Sequence, residues 1–190
     1  MRLVADDGID ALTMPRLADA ADAAVGGLYR YFSGKDALIA GLQVRAGEAF
    51  VAFLDERWDA QAAPLARVRS VVEAWPAFAR AEPQKHALLD ASLSDPRALL
   101  GADDAAAVAQ AIAPALERCA VALREAEEQG ALAPGDAELR THALWAAVHG
   151  AGHFAKRDRL VPERLRASEV RRELVETLLA GWADPLQSPR

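Results

Sequence analysis

The sequence predicts an all-α protein, and three observations lead there. Alanine, leucine, arginine and glutamate dominate the composition, and apolar residues recur at helical spacing without strand-like alternation. Glycines and prolines fall between long helical stretches. A chain of 190 residues, 52% hydrophobic and 26% charged, is globular in composition and long enough for one or two domains around a real core.

The elements follow in order. MRLVADD reads as a short helix closed by Gly8. Thr13 caps a second helix, MPRLADAA, with Pro15 in its first turn, where a missing N–H costs nothing. A tight turn at Asp22 leads to a short helix over Val25–Phe32, broken by Gly34. A long helix then runs from Lys35 to about Trp58, with Leu38, Leu42, Ala46, Ala49, Phe50 and Phe53 on one face. WDAQAAP marks a boundary. Pro64 opens a helix with Leu65, Val68, Val72, Trp75 and Ala79 inward and a kink expected at Pro76. PQKHALLDASL is the next helix, and SDPRALLGADD is a loop with room for a turn of helix. A long helix over about 105–129 carries Val108, Ile112, Leu116, Cys119, Leu123 and Ala126; Pro114 bends or splits it, and Gly130 closes it. Asp136 caps a helix running to about Lys156. The last helix, about Pro162–Trp182, carries an apolar stripe of Leu174, Val175, Leu178, Leu179 and Trp182. The tail ADPLQSPR is expected to fray.

Several function classes are disfavoured by composition. No run is expected to approach the ~18 apolar residues of a membrane span, and MRLVADDGID lacks a signal-peptide plan. The single cysteine, Cys119, rules out an internal disulfide framework and reads as a small buried residue, so a reducing cytoplasm is expected. A net charge of −6 argues against whole-chain attraction to nucleic acid but leaves room for a local DNA-reading surface.

Such a surface is written at AVGGLYRYFSGKDAL, Ala24–Leu38. Two short helices joined by a tight turn, the second bearing Tyr-Arg-Tyr, form a helix-turn-helix plan. Gly26 and Gly27 let the helix start approach a sugar-phosphate backbone. Tyr29 offers a ring to a thymine methyl and a hydroxyl to a phosphate. Arg30 and Arg16 supply cations, while Lys35 and Thr13 stand at helix starts whose free N–H groups favour anions. Leu17, Ala18, Ala21, Val25, Leu28 and Phe32 form the expected core of this unit.

At these residues, GIDALTMPRLADAADAAVGGLYRYFSGKDALIAGL from Gly8 to Leu42, the chain resembles the TetR family of transcriptional regulators; LYRYF followed by a small pair and KDAL is the specific part. LWAAVHGAG, Trp145–Gly152, is similar to the family's effector domains with a Trp-x-x-x-His-Gly element. The resemblance implies a DNA-reading domain over 1–45, a helical effector-binding and dimerisation domain over 46–190, and a homodimer. The family's Ala-Gly-Val-Ser turn is here Ala21-Asp22-Ala23-Ala24. Asp22 replaces a turn glycine and brings a negative charge toward the phosphates, and Ala24 replaces a capping serine, worth about 1 kcal/mol. Residues 1–45 carry a net charge of −1, low for a DNA-binding unit, and the first helix is shorter than the family's.

In the C-terminal part, Trp75, Phe78, Leu89, Ile112, Leu116 and Trp145 are candidate linings of an apolar effector cavity, with His86 or His142 as polar contacts. Each such residue is more often core than pocket. His142, His149 and His153 share one side of a helix; zinc binding by His149 and His153 with His142 or His86 is set against packing within a bundle, and packing is preferred because His149 matches the Trp-x-x-x-His-Gly pattern, while no HExxH arrangement argues for metal-assisted hydrolysis. Ala143, Ala147 and Gly150 permit close helix approach. With Leu174, Leu178 and Trp182 they form the expected two-fold interface, which holds two reading helices about 34 Å apart on a palindromic operator.

The resulting expectation is a non-enzymatic, ligand-responsive repressor binding double-stranded operator DNA and a small, largely apolar effector, with no metal or cofactor and no membrane. The alternatives are a dimeric ligand-binding protein with a weakened DNA-binding domain, and a histidine-dependent metal hydrolase.

Overall fold

The computed structural model describes residues 13–94 and 100–183. The short helix expected before Gly8, most of the loop after Ser94 and the C-terminal tail lie outside those residues. Among the described residues the regular structure is helical: α1 Met14–Ala20, α2 Val25–Tyr29, α3 Lys35–Asp55, α4 Pro64–Ala81, α5 Pro83–Ser94, α6 Ala102–Glu128, α7 Ala137–His153 and α8 Ala167–Gly181. Two 3-10 segments, Phe154–Leu160 and Glu163–Leu165, lie between α7 and α8. The predicted all-α class is what the chain adopts.

Local chemistry sets the helix ends. The Thr13 side chain accepts from Arg16 N at 3.4 Å and starts α1. The Asp136 carboxylate accepts from Leu139 N at 3.0 Å and starts α7. Gly130 ends the turn after α6 at φ 73°, a left-handed backbone that glycine adopts without steric cost. The helix from Lys35 ends at Asp55, before the expected Trp58. Pro114 leaves α6 continuous, so it does not split the helix.

The chain forms two compact units: residues 1–56 with 77–114, and residues 57–76 with 115–190. Both in-helix prolines fall where the chain passes from one unit to the other, Pro76 within α4 and Pro114 within α6. Each removes one rung of the helical hydrogen-bond ladder at that point.

In the first unit α1 packs on α2, and α3 packs on α5. Leu38, Ile39, Ala46, Phe50 and Leu54 form the buried face of α3. Phe78 meets Phe50 and Phe53 with centroid distances of 5.4 and 5.5 Å. Gln43 is fully buried, and its Nε2 donates to Leu88 O at 3.0 Å, tying α3 to α5. A Cβ at Gly47 would lie 3.0 Å from Ala111 Cβ and 3.2 Å from Ile112 Cγ2, so α3 and α6 approach closely there.

The second unit is built on Val68, Val72, Trp75, Cys119, Leu123, Leu144, Val148, Val175 and Leu179. Ion pairs tie its helices together: Arg69 Nε to Glu176 at 2.7 Å, Arg171 Nη2 to Glu73 at 3.0 Å, and the buried Arg67 to Glu125. Hydrogen bonding from Arg69, helped by its charge and opposed by partial burial, holds the Glu176 carboxyl below its ordinary range. Trp182 lies under Arg140 at 5.4 Å and its carbonyl accepts from Ala133 N at 2.8 Å, pinning the end of α8.

The expectation that no stretch has span-like length needs correction. Lys35–Asp55 and Ala102–Glu128 are long and apolar enough to cross a membrane by length and composition. Alanine raises their mean hydropathy, and α3 spends its apolar face on the core described above.

Candidate nucleic-acid interface and effector cavity

The turn between α1 and α2 shows how the reading helix is set. Asp22 adopts φ 50°, the left-handed conformation that aspartate tolerates better than most residues. The backbone turns on Ala21 N to Leu17 O at 3.1 Å and Ala23 N to Ala18 O at 2.9 Å. Ala24 then occupies the N-cap of α2 without a side-chain cap bond, as its methyl dictates. The reading helix is Val25–Tyr29, shorter than the expected Val25–Phe32; two turn residues carry the chain to Phe32.

Nothing in α2 is buried. Tyr29 is 54% exposed, and Arg30, Gly26, Thr13 and Arg16 are exposed as well. Gly27 and Lys35 are half-buried, with Lys35 at the first position of α3. A Cβ at Gly26 or Gly27 would meet nothing within 4 Å. Their use is therefore a smooth outer surface, not relief of an internal clash. Leu28 and Phe32 are half-buried, and the Phe32 ring lies 3.2 Å from where a Gly41 Cβ would be. Tyr31, beyond the expected set, shares this surface at 79% exposed, the most exposed aromatic described, and the alternation Tyr-Arg-Tyr was its available signal. Val25 and Ala21, expected in the core of this unit, are exposed instead, Val25 at 36%, because a helix of little more than one turn brings only Leu28 inward.

In the second unit Trp75, Leu116 and Trp145 line one small cavity with Val72, Cys119 and Thr141. Its volume is about 10 Å³, about one water molecule. Trp75 and Trp145 meet edge to face at 5.0 Å, and His149 packs on both, at 4.7 and 4.3 Å. The His149 Nδ1 donates to Trp145 O at 3.0 Å. Burial pushes the Cys119 thiol up to about 11, with a hydrogen bond to Thr141 opposing, so it stays a neutral apolar lining. Phe78, His86, Leu89 and Ile112 belong to the first unit and are not brought to this cavity. His142 is exposed, with Nδ1 donating to Glu138 O at 2.9 Å. Among the described residues no three His, Cys, Asp or Glu side chains stand together as a metal site.

α7 and α8 pack against each other. Ala143, Ala147, Leu178 and Trp182 are half-buried there, while Gly150 and Leu174 face outward, Leu174 being 40% exposed.

These features define an all-α protein with an N-terminal helix-turn-helix domain and a larger helical C-terminal domain. Comparison with known proteins narrows the class. Residues 1–42 match the N-terminal domain of the bacterial regulatory proteins of the tetR family. The regulatory protein TetR from Rhodobacter sphaeroides is similar in fold, with a TM-score of 0.68 and 25% identity over 96% of this chain and 94% of that one. AibR, solved in complex with isovaleryl coenzyme A and operator DNA, has a TM-score of 0.70 and 20% identity over 94% and 92% of the two chains. PfmR, a TetR family transcriptional regulator from Thermus thermophilus, has a TM-score of 0.65 and 20% identity over 94% and 93%. No curated protein matches at the sequence level. Residues 1–42 thus match the N-terminal domain of that family, and the whole chain is similar in fold to solved regulators of it.

Proposed function

We propose that this protein is a ligand-responsive transcriptional repressor of the TetR family, non-enzymatic and cytoplasmic, that binds a palindromic operator as a homodimer. The observation that carries the reading is Tyr29, exposed on a reading helix behind a left-handed turn, inside the segment that matches the family. In role the chain divides into a DNA-reading part over 1–45 and an effector-binding and dimerising part over 46–190. Thr13, Arg16, Tyr29, Arg30 and Lys35 are assigned to phosphates and base edges. Trp-x-x-x-His-Gly, with Trp145 and His149 at the cavity's aromatic cluster, is assigned to the effector domain.

The effector is small and largely apolar, matching a lining in which Thr141 and Cys119 bring the polar atoms. A cavity this small admits it only by opening, so binding selects a conformation with the Trp75–Trp145 pair parted. Isovaleryl coenzyme A, bound by the neighbour AibR, joins a small apolar acyl group to a large anionic carrier, so its binding here would tell against a small, largely apolar effector.

Fluorescence anisotropy against the DNA beside its own gene tests the proposal. Binding that weakens steeply between about 50 and 200 mM salt is expected; no binding at the lower salt rejects it. A second reading, a dimeric ligand-binding protein with a weakened DNA domain, is favoured by the uncapped Ala24 and by Asp22. Under it, Ala24→Ser with Asp22→Gly raises operator affinity from an undetectable level.

A further inference from the structure

The start of the reading helix carries no polar side chain. From Ala23 to Leu28 the sequence is AAVGGL. Bidentate reading of a base edge in the major groove needs a guanidinium, an amide or a carboxylate, and the first residues of a recognition helix are the ones that reach those edges. None of the residues from Ala23 to Leu28 offers such a group. Tyr29 brings a ring and a hydroxyl, and Arg30 stands past the end of α2 as its C-cap.

What this stretch does offer is apolar and open. Val25 is 36% exposed and Tyr29 54% exposed. They stand four residues apart and share one face, about 6 Å from each other along the helix. Gly26 beside them is exposed and Gly27 half-buried. Neither glycine has a left-handed backbone, and a Cβ on either would meet nothing within 4 Å. Glycine weakens a helix relative to alanine, so nothing inside the protomer accounts for two in succession in a helix of five residues. Their use lies outside it. Without side chains there, the helix axis comes close enough to a groove floor for the short Val25 side chain to touch a base.

Of the groups that base pairs display in the major groove, the C5-methyl of thymine is the apolar one. A valine set against a donor or acceptor instead takes it from water without returning a hydrogen bond. We propose that the protein selects its operator by thymine methyl groups, received by Val25 and the Tyr29 ring while Arg16, Arg30 and Lys35 hold phosphates. Val25 is then a specificity-determining residue. The thymines lie within about two base steps of each other, as the spacing of about 6 Å along the helix requires. This inference rests on the DNA-binding role proposed above and goes beyond it, because it names the chemical group that is read and a residue that reads it.

The test uses the full chain and modified DNA. Selection from a random duplex pool yields the preferred site. Fluorescence anisotropy then reads affinity for that site with single thymines replaced by deoxyuridine, which lacks only the methyl group. At the thymines that Val25 and Tyr29 meet, affinity falls about fourfold, the transfer value of one buried methyl group; deoxyuridine elsewhere in the site changes nothing. A C·G pair at a sensitive position weakens binding, and 5-methylcytosine in place of its cytosine recovers about fourfold. Val25→Ala, its fold checked by thermal melting, binds the thymine and deoxyuridine sites alike at the position that Val25 meets. Deoxyuridine sites bound as tightly as thymine sites overturn the proposal while leaving DNA binding in place. So does a deoxyuridine penalty that Val25→Ala leaves intact at every sensitive position. A pool from which no site is enriched overturns the operator-binding role itself.

Discussion

The reading helix α2 and the aromatic cluster around Trp75 lie at opposite ends of a scale of burial. No residue of α2 is buried, its N-cap is an alanine, and it is held by a turn and by the half-buried Leu28. Trp75 is 4% exposed and packs on both Trp145 and His149. One region turns its side chains outward, and its conformation rests on the left-handed turn at Asp22. The other spends them inward and rests on packing between residues far apart in the chain. Binding energy and folding energy are therefore stored in different places, and substitutions separate them.

The largest effect is expected at Trp75. Trp75→Ala removes a buried indole and costs about 3–5 kcal/mol of stability by chemical denaturation, whereas Tyr29→Ala changes it by less than about 0.5 kcal/mol. Similar losses at both positions would erase the contrast. Tyr29→Ala acts on operator binding instead, weakening it by about 1–3 kcal/mol, or five- to 150-fold; unchanged affinity in a filter or anisotropy titration would remove Tyr29 from the interface. Ala24→Ser supplies the missing N-cap bond and stabilises the folded protein by about 1 kcal/mol, seen as a higher melting temperature. No gain would mean that the α2 start is already satisfied.

The smallest effect belongs to the surface pair Arg69–Glu176. Because Arg69 holds the Glu176 carboxyl below its usual 4.5, the pair's contribution is complete above that pH and is lost as pH falls through the depressed value. A double-mutant cycle with Arg69→Gln and Glu176→Gln should give about 0.2–1 kcal/mol at pH 7. Coupling that persists undiminished at pH 2 would contradict this account.

The same contrast explains what could be read from the sequence. Thr13, Asp22, Gly130 and Asp136 act through bonds to residues a few positions away, so their roles were legible: two side-chain caps and two left-handed turns stand where the chain's punctuation put them. The periodic apolar faces gave the helices. Which faces meet was not legible. Trp75 and Phe78 are three apart on one helix and look equivalent in any pattern, yet they belong to different units because the grouping changes at Pro76. Ile112 and Leu116 are separated in the same way around Pro114. A proline in a helix reads as a kink; that it marks a change of structural company appears only in three dimensions. Tyr31 was missed, and Val25 and Ala21 were placed in the core, because in so short a helix apolar character carries no periodic signature of which face is buried.

The absence of any buried residue in Val25–Tyr29 has an evolutionary consequence. Outward positions such as Val25, Gly26 and Tyr29 owe nothing to the interior, so their letters can be rewritten without penalty to folding. After duplication of the gene, the two copies could diverge at those positions while each kept the same fold.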